Sequence, residues 1–317
     1  MTRIDRLVNL AHWLVWGAKI VMVNEFRPAP YGGGNQFLGA LRKALISRGQ
    51  SVGVNHRGWH TRVALFNSFN FDFERIRTFR DLGLRMVHRV DGPISAYRGR
   101  DRELDEKIWQ INHDVADATV FQSEYSLSKH REMGLQFTCP VVIPNACDDT
   151  IFFPPPARRP LAGRRVRLIT TSWSDNPMKG GDVYRWLDEN LDFSRYEFTF
   201  LGRTKEVFRN IRVLPPVPSR PVADMLRQQD VFITASCNDC CSNALIEALA
   251  CGLPAVYHDS GGSRELVGDA GYGFQAMEKV PALIERCVAN LEQLREYIRV
   301  ASIGDVADRY LEALCPT

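Results

Sequence analysis

Residues 230–273 contain two short apolar runs, each followed by a polar or glycine-rich turn and then by a segment with helical periodicity. The first run, Val231 to Ala235, is rich in strand-forming residues, and the second follows Gly252 and Pro254. Short apolar runs that alternate with amphipathic helices are typical of parallel strands joined by crossover helices. The carboxyl ends of such strands meet at one edge of the sheet, where nucleotides bind. This segment therefore predicts an α/β domain with a ligand site at that edge.

The helix predicted after the first of these strands has an apolar side and a polar side. Ser242 stands at the expected N-cap position, where its hydroxyl can accept a hydrogen bond from the first turn. Asn243 and Glu247 are four residues apart and share the polar side. The start of a helix offers unpaired amides and a partial positive charge, which favour a diphosphate. We therefore expect a diphosphate near Ser242 and ribose or sugar hydroxyls near Glu247.

The same alternation of strand and helix patterns runs through most of the chain. A chain of 317 residues is longer than a single hydrophobic core usually supports, which favours two domains of roughly 150 residues each. The pattern predicts the α/β class, with two doubly wound, Rossmann-like parallel sheets, and two helices over residues 280–313. The expected limits are an N-terminal extension at 1–18, a first domain at 19–152, a proline- and arginine-rich linker at 153–165, a second domain at 166–295 and a C-terminal helix at 296–317.

Composition limits the classes of function. A net charge of +3 is too small to argue for nucleic acid, and no stripe of basic and aromatic residues supports it. Eight scattered cysteines form no disulfide framework, which favours a reduced, cytoplasmic protein. Cys237 and Cys240 form a single C-x-x-C without a second Cys or His pair at zinc spacing, so we expect no metal site.

The first 18 residues allow two interpretations. Trp13 and Trp16 lie in a broken apolar stretch that is too short to span a bilayer and lacks a signal-peptide cleavage pattern. The stretch is either a leader segment, packed on the fold or poorly ordered, or a contact with a membrane interface. The arginines of the predicted linker leave a similar choice between a solvated linker and contact with an anionic acceptor or lipid. We expect a soluble cytoplasmic protein with at most peripheral contact to the inner face of a membrane.

Several motifs occur in the order found in a known family. Asp239 and Glu247 are separated by seven residues, and the sequences ALACGLP at 248–254 and GGSRE at 261–265 follow. Upstream, MKGGD occupies residues 178–182. This series resembles the nucleotide-sugar signature of the retaining GT-B glycosyltransferases of the family 4 type (glycosyl transferases group 1). The resemblance implies two Rossmann-like domains that face a cleft, the second of which binds a nucleotide sugar.

The resemblance also implies roles for single residues. Glu247 would bind the ribose, Asp239 the sugar and Lys179 the diphosphate. The family commonly has an arginine shortly before the lysine, and it is missing here. Lys179 therefore either acts together with Arg203 or acts with one cation fewer. The glycines at 32–34 either only link a strand to a helix or let the backbone approach the donor. The expected donor-binding residues are Glu247, Lys179, Asn243, Ser242, Gly33, Gly34, Arg203, Gly261, Gly262 and Glu265.

The first domain is expected to hold the acceptor. The sequence HRVDGP at 88–93 ends a predicted strand with polar residues that belong at the carboxyl edge of the sheet. His88 and Asp91 are candidates to hold the acceptor hydroxyl or to take its proton, although a histidine within a strand can also be structural. Together with Asp239, they are the predicted catalytic residues.

The sequence as a whole predicts a hexosyltransferase-type enzyme that moves a sugar, with retention, from a nucleotide diphosphate sugar to an acceptor hydroxyl. The donor is expected to be linked to UDP or GDP, and no further cofactor is expected. The acceptor is a glycan, a lipid-linked group or a small molecule, as in the synthesis of polysaccharide, lipopolysaccharide or another glycoconjugate. Two alternatives remain open: a catalytically silent nucleotide-sugar-binding subunit, and another GT-B activity such as an epimerase or phosphorylase.

Overall fold

Two parallel sheets of six strands each, flanked by helices, form the protein in a computed structural model. The structure describes residues 18–26, 33–69 and 71–316. Within these residues the predicted α/β class with two doubly wound parallel sheets is confirmed. The expected N-terminal extension lies outside the described residues, apart from Ala18.

The strands of the first sheet follow the order β2-β1-β3-β4-β5-β6, and every neighbouring pair is parallel. All residues of β1, β3 and β5 are buried, as expected for parallel strands that helices cover on both faces. The strands are β1 (Ile20–Val23), β2 (Val52–Val54), β3 (Val63–Asn67), β4 (Arg85–Val90), β5 (Ala118–Phe121) and β6 (Pro140–Val142).

Helices connect these strands, and side-chain caps fix the starts of two of them. Asp72 accepts hydrogen bonds from the first-turn amides of one helix, and Ser123 caps another through the amide of Ser126. The helices are α1 (Gly33–Ser47), α2 (Phe73–Asp81), α3 (Ile94–Arg98), α4 (Arg102–Val115) and α5 (Glu124–Glu132).

The second sheet follows the order β12-β11-β10-β7-β8-β9 and is also parallel throughout. The strands at its centre, β10 and β7, carry the loops that hold most of the predicted donor residues. The strands are β7 (Val166–Ser172), β8 (Tyr196–Gly202), β9 (Arg212–Leu214), β10 (Val231–Thr234), β11 (Ala255–His258) and β12 (Gly271–Phe274).

The helices of the second half differ from the prediction at the C-terminus. Three helices occur where two were expected over residues 280–313, because the backbone leaves the helical conformation at Asn290 and again after the next short helix. The helices are α6 (Gly181–Asn190), α7 (Ser219–Leu226), α8 (Asn243–Ala250), α9 (Ser263–Val267), α10 (Val280–Ala289), α11 (Leu291–Glu296) and α12 (Ile303–Leu314).

The chain divides into two compact units, each with one sheet. Of the described residues, the first unit comprises 18–26, 38–69, 71–145 and 303–316, and the second comprises 33–37 and 146–302. The segment 153–165, which we expected as a linker, therefore groups with the second unit, and Arg158 there donates hydrogen bonds to the carbonyl oxygens of Cys251 and Gly252. Helix α12 groups with the first unit.

Each unit has its own apolar core. In the first, side chains such as Phe66 and Met86 pack between the sheet and its helices, and in the second Phe198 and Ile233 do so. Burial of this apolar surface is the main stabilising term of each unit. No helix of the described residues is long and apolar enough to cross a membrane.

Candidate functional site

The carboxyl edge of the second sheet brings two predicted donor residues into direct contact. The ammonium nitrogen of Lys179 lies 2.8 Å from Oδ2 of Asp239. Their side chains are only 21% and 12% exposed, so solvent screens this ion pair less than it screens a surface pair. Sequence spacing places these residues 60 positions apart, and the parallel sheet brings them together because β7 and β10 are neighbours.

A close backbone approach fixes the position of Lys179. The next residue, Gly180, has a φ of +73°, and a Cβ atom on it would lie 2.4 Å from the carbonyl oxygen of Ala235. The amide of Cys237 also donates a hydrogen bond to the carbonyl oxygen of Met178, at 2.8 Å. Only glycine fits at position 180. The turn that carries Lys179 therefore packs against the residues that follow β10.

The predicted glycine turn at 261–262 packs against Asp239. Gly261 has a φ of +66°, and a Cβ atom there would lie 2.3 Å from the carbonyl oxygen of Asp239. The Gly262 amide donates a hydrogen bond to that same oxygen at 2.9 Å. This differs from the expected role: the Gly262 N–H is already bonded within the protein, so the turn positions Asp239 rather than offering this amide to a diphosphate.

The side chain of Asp239 also accepts a hydrogen bond from a backbone amide. The amide of Cys241 donates to its Oδ1 atom at 3.2 Å, while Oδ2 faces Lys179. Both carboxylate oxygens therefore have a partner. Sequence reasoning missed Ser260, whose hydroxyl accepts a hydrogen bond from the Asn238 amide at 2.9 Å and so holds the loop before Asp239.

Helix α8 places Glu247 at the same edge. Its predicted N-cap is confirmed: Ser242 Oγ accepts a hydrogen bond from the amide of Leu245 at 3.4 Å. The apolar side of α8 is buried, whereas Glu247 is partly exposed. Within the described part of the chain this carboxyl group has no hydrogen bond or ion pair, and desolvation by the surrounding protein raises its pKa to about 8.

The two described glycines of the predicted 32–34 loop, Gly33 and Gly34, are the first residues of α1. They belong to the part of the chain that groups with the second unit. A Cβ atom on Gly33 would lie 2.3 Å from Nδ2 of Asn243, whereas one on Gly34 would have no atom within 4 Å. A Cβ atom on Gly33 would therefore have to displace the side-chain amide of Asn243, and nothing comparable constrains Gly34.

Arg203 follows β8 and is exposed. Its guanidinium carbon lies 4.4 Å from the centroid of the Trp173 ring, within the range of a cation–π contact. Trp173 follows β7, and the Arg203 amide donates to the carbonyl oxygen of Ser172 at 2.9 Å. The structure thus holds Arg203 at the carboxyl edge through a tryptophan that sequence reasoning did not select. Glu265 lies on α9 and is also exposed.

His88 is not placed to act on a substrate, which corrects our expectation. Its side chain is fully buried, and the ring stacks on Phe66 with centroids 4.2 Å apart. Nε2 lies 2.9 Å from the carbonyl oxygen of Ser68, so it must carry the proton, and Nδ1 accepts from Asn112 Nδ2 at 3.2 Å. Burial lowers the pKa of His88 to about 3. Both ring nitrogens are used, and the residue is part of the core.

Asp91 lies where it was expected, at the carboxyl end of β4. Its side chain is 32% exposed, and Oδ1 lies 2.9 Å from an Nη atom of Arg89. Gln122 also donates to Oδ1, and the Ser126 hydroxyl donates to the backbone carbonyl of Asp91 at 3.1 Å. The carboxylate is therefore bound through Oδ1 by neighbouring side chains, and it remains accessible to solvent.

Sequence reasoning missed the residues that hold Asp91. They share one property: each is a polar residue at or just beyond the end of a strand in the first sheet, where a carboxyl edge is expected. That repeated position is the signal that could have found them. They are Asn24, Asn67, Arg89, Gln122 and Asn145.

The cysteines of the described residues are free thiols. Cys237 and Cys240 are partly buried, and burial raises the pKa of the Cys237 thiol. Among the residues that the structure describes, no group of three or more His, Cys, Asp and Glu side chains could hold a metal ion.

Comparison with known proteins agrees with this fold. Residues 192–293, which include Asp239 and Glu247, match the family described as "Glycosyl transferases group 1". No curated protein matches the chain in sequence. The chain is similar in structure to HepE from Anabaena, solved in complex with UDP and glucose, with a TM-score of 0.74 and 14% identity over 95% of this chain and 100% of that one.

Two further structures show the same fold. A sucrose-phosphate synthase from Thermosynechococcus elongatus has a TM-score of 0.68 and 14% identity over 93% of this chain and 94% of that one. The catalytic domain of starch synthase IV from Arabidopsis thaliana, bound to ADP and acarbose, has a TM-score of 0.70 and 12% identity over 93% of this chain and 98% of that one.

The fold is that of the GT-B class, with two parallel sheets in two units. Because the matched family domain covers the loop that carries Asp239 and the helix that carries Glu247, the protein is an enzyme, a glycosyltransferase.

Proposed function

We propose that the protein transfers a hexose from a nucleotide diphosphate sugar to an acceptor hydroxyl, with retention of the anomeric configuration. The observation that carries the proposal is the cluster at the carboxyl edge of the second sheet. There the Lys179–Asp239 ion pair and the partly exposed carboxyl group of Glu247 lie on loops and a helix that follow neighbouring strands. This is the position at which parallel sheets bind nucleotides.

Each residue of the cluster has a chemical task in this proposal. The ammonium of Lys179 stabilises the charge that develops on the departing nucleoside diphosphate. Asp239 accepts hydrogen bonds from the sugar, and Glu247 accepts them from the ribose. Arg203, held on the Trp173 ring, supplies the second cation in place of the arginine that the chain lacks near Lys179. With two cations available, the reaction needs no metal ion.

A uridine nucleotide is the first donor to test. The structure of HepE contains UDP and glucose, and that of starch synthase IV contains ADP. We propose that the acceptor binds to the first unit, near Asp91, and is a glycan, a lipid-linked group or a small molecule of a glycoconjugate pathway. We also propose that the enzyme works in the cytoplasm, with at most peripheral contact to the inner face of a membrane.

The test is a turnover assay with labelled donors. The purified protein is incubated with UDP-glucose, UDP-galactose, UDP-N-acetylglucosamine, GDP-mannose or ADP-glucose, with water or octyl glycosides as acceptors. We expect release of the nucleotide from one donor and a product with the donor's anomeric configuration by NMR. Glu247→Ala should abolish turnover, while Glu189→Ala, an exposed residue on α6, should not change it. Binding without turnover would instead identify a silent binding subunit.

A further inference from the structure

Arg89 is a charged residue whose side chain is completely buried. Burying a guanidinium is strongly unfavourable unless its N–H groups find acceptors and its charge is compensated. The Nη atoms of Arg89 meet three side-chain acceptors: Oδ1 of Asn67, Oδ1 of Asp91 at 2.9 Å and Oδ1 of Asn145 at 2.8 Å. Of these three acceptors only Asp91 carries a charge, so this carboxylate acts as a counter-ion of the guanidinium.

The first sheet explains how these side chains meet. Arg89 lies on β4, and its strand partner in β3 is Asn67. Gln122 follows β5 on the other side of β4, and its Oε1 accepts a hydrogen bond from Nδ2 of Asn145 at 2.9 Å. The side-chain amide of Asn145 is thus bonded to Gln122 as well as to the guanidinium of Arg89. A network in which every member is bonded on several sides holds its members in one geometry.

Asp91 is the point at which this network reaches solvent. Arg89 and Gln122 both donate to Oδ1 of Asp91. Within the described residues, Oδ2 of Asp91 receives no hydrogen bond, and the side chain is 32% exposed whereas Arg89 is 0% exposed. One oxygen is therefore fixed from inside the protein, and the other remains available to a ligand with a hydroxyl group.

We propose that Arg89 is a positioning residue for Asp91. The buried guanidinium and Gln122 both bind Oδ1 of Asp91. They thereby turn Oδ2 outward, where it accepts a hydrogen bond from the acceptor hydroxyl. This inference rests on the proposed function, because it assigns the acceptor to the first unit. The amide groups of Asn67 and Asn145 support the guanidinium without competing for its charge.

A purely architectural role for Arg89 makes a different prediction. In that case the guanidinium only ties β3, β4 and the chain near Asn145 together, and removing it lowers the thermal stability without changing the chemistry at position 91. A readout of the charge at position 91 separates the two roles.

A thiol at position 91 gives that readout, because only the thiolate form reacts with iodoacetamide. Alkylation at pH 7 is followed by peptide-resolved mass spectrometry in Asp91→Cys alone, and in Asp91→Cys combined with Arg89→Lys or Arg89→Gln. We expect about 5-fold faster alkylation with Arg89 than with Arg89→Gln, and an intermediate rate with Arg89→Lys. Cys139, an exposed thiol of the same unit, is the internal reference. Equal rates at position 91 would overturn the proposal.

The single variant Asp91→Cys remains decisive even if Arg89→Gln does not fold. Its alkylation is measured as a function of pH beside that of N-acetylcysteine. We expect half-maximal reactivity at position 91 about one pH unit below that of the free thiol, because a nearby guanidinium favours the thiolate. Half-maximal reactivity at the same or a higher pH would show that Arg89 does not support an anion there, and would overturn the proposal.

A mutant cycle in the octyl glycoside assay then tests positioning during transfer. Arg89→Lys should lower kcat/KM for the acceptor about 10-fold in the unchanged protein and less than about 2-fold in the Asp91→Asn background, with an unchanged KM for the donor. Equal losses in both backgrounds would overturn the proposal. Absence of any turnover by the unchanged protein would defeat the proposed function instead, and the alkylation result would still decide the relation between Arg89 and Asp91.

Discussion

The ammonium group of Lys179 and the carboxylate of Asp239 form an ion pair with an N–O distance of 2.8 Å at the carboxyl edge of the second sheet. Both side chains are largely buried, so each strongly affects the charge that the other presents to a ligand. A diphosphate that binds to Lys179 must therefore compete with Asp239. This competition gives the two residues opposite effects on nucleotide binding.

Asp239→Asn should tighten the binding of UDP and slow the transfer. The substitution removes a negative charge beside the diphosphate and with it the ion pair to Lys179, so we expect about 5-fold higher affinity for UDP. Loss of the carboxylate that binds the sugar should lower kcat about 100-fold. Isothermal titration calorimetry and the turnover assay measure the two effects. Weaker binding of UDP would contradict the competition between Asp239 and the diphosphate.

Lys179→Met should weaken the binding of UDP about 10- to 100-fold, because a charge-assisted hydrogen bond contributes about 1.5–3 kcal/mol. Lys205→Met is the matched control: Lys205 lies on the loop after β8 and is 79% exposed, in an ion pair with Asp175. The control should bind UDP as the unchanged protein does. Equal losses in the two variants would mean that only the net charge of this edge matters.

Trp173→Ala should weaken UDP binding through Arg203. The ring holds the guanidinium at 4.4 Å, and without it the arginine side chain is free to adopt many conformations. We expect about a 3-fold loss in affinity for Trp173→Ala and about a 10-fold loss for Arg203→Met. The double variant should lose no more than Arg203→Met alone. Additive losses would indicate that Trp173 contacts the nucleotide itself.

The pKa of Glu247, raised to about 8, predicts a dependence of stability on pH. Above its ordinary pKa of 4.5, the carboxyl group ionises in the unfolded chain but stays neutral in the folded one. The free energy of unfolding therefore falls as the pH rises from about 4.5 to 8 and does not fall further through this group above 8. Because the side chain in the Glu247→Gln variant cannot ionise, its free energy of unfolding should not show this decrease.

We expect Glu247→Gln to melt at about the same temperature as the unchanged protein at pH 4.5 and at least about 2 °C higher at pH 8. Glu189→Gln on the exposed side of α6 should show no such difference. Differential scanning calorimetry at the two pH values, without nucleotide, is the measurement. A melting difference that does not change with pH would contradict a raised pKa.

His88→Ala should destabilise the protein without changing the binding of UDP. The substitution leaves a cavity beside Phe66 and removes the partners of Ser68 and Asn112. We expect a loss of about 2–4 kcal/mol in the free energy of unfolding. His113→Ala, at an exposed position of α4, is the control. A variant of His88 that melts normally but loses transfer would restore a catalytic role to this residue.

Much of the second unit was predictable because its signals are local. The N-cap at Ser242 and the polar side of α8 that carries Glu247 follow from residues within one or two helical turns. The βα alternation likewise follows from short windows of sequence. The proline-rich segment 153–165 carries no such local signal, because prolines interrupt periodicity wherever they occur. Its contact with the second unit depends on the long-range bonds of Arg158.

The sequence by itself determined the class of this protein, because strand and helix periodicity and the spacing from Asp239 to Glu247 are encoded in neighbouring residues. Tertiary structure alone decided the partners: Lys179 with Asp239, Arg203 with Trp173, and Arg89 with Asp91 and its amide groups. It also decided that His88 is part of the core. Such contacts depend on which strands become neighbours and on how deeply each side chain is buried, and no local pattern of residues specifies either property.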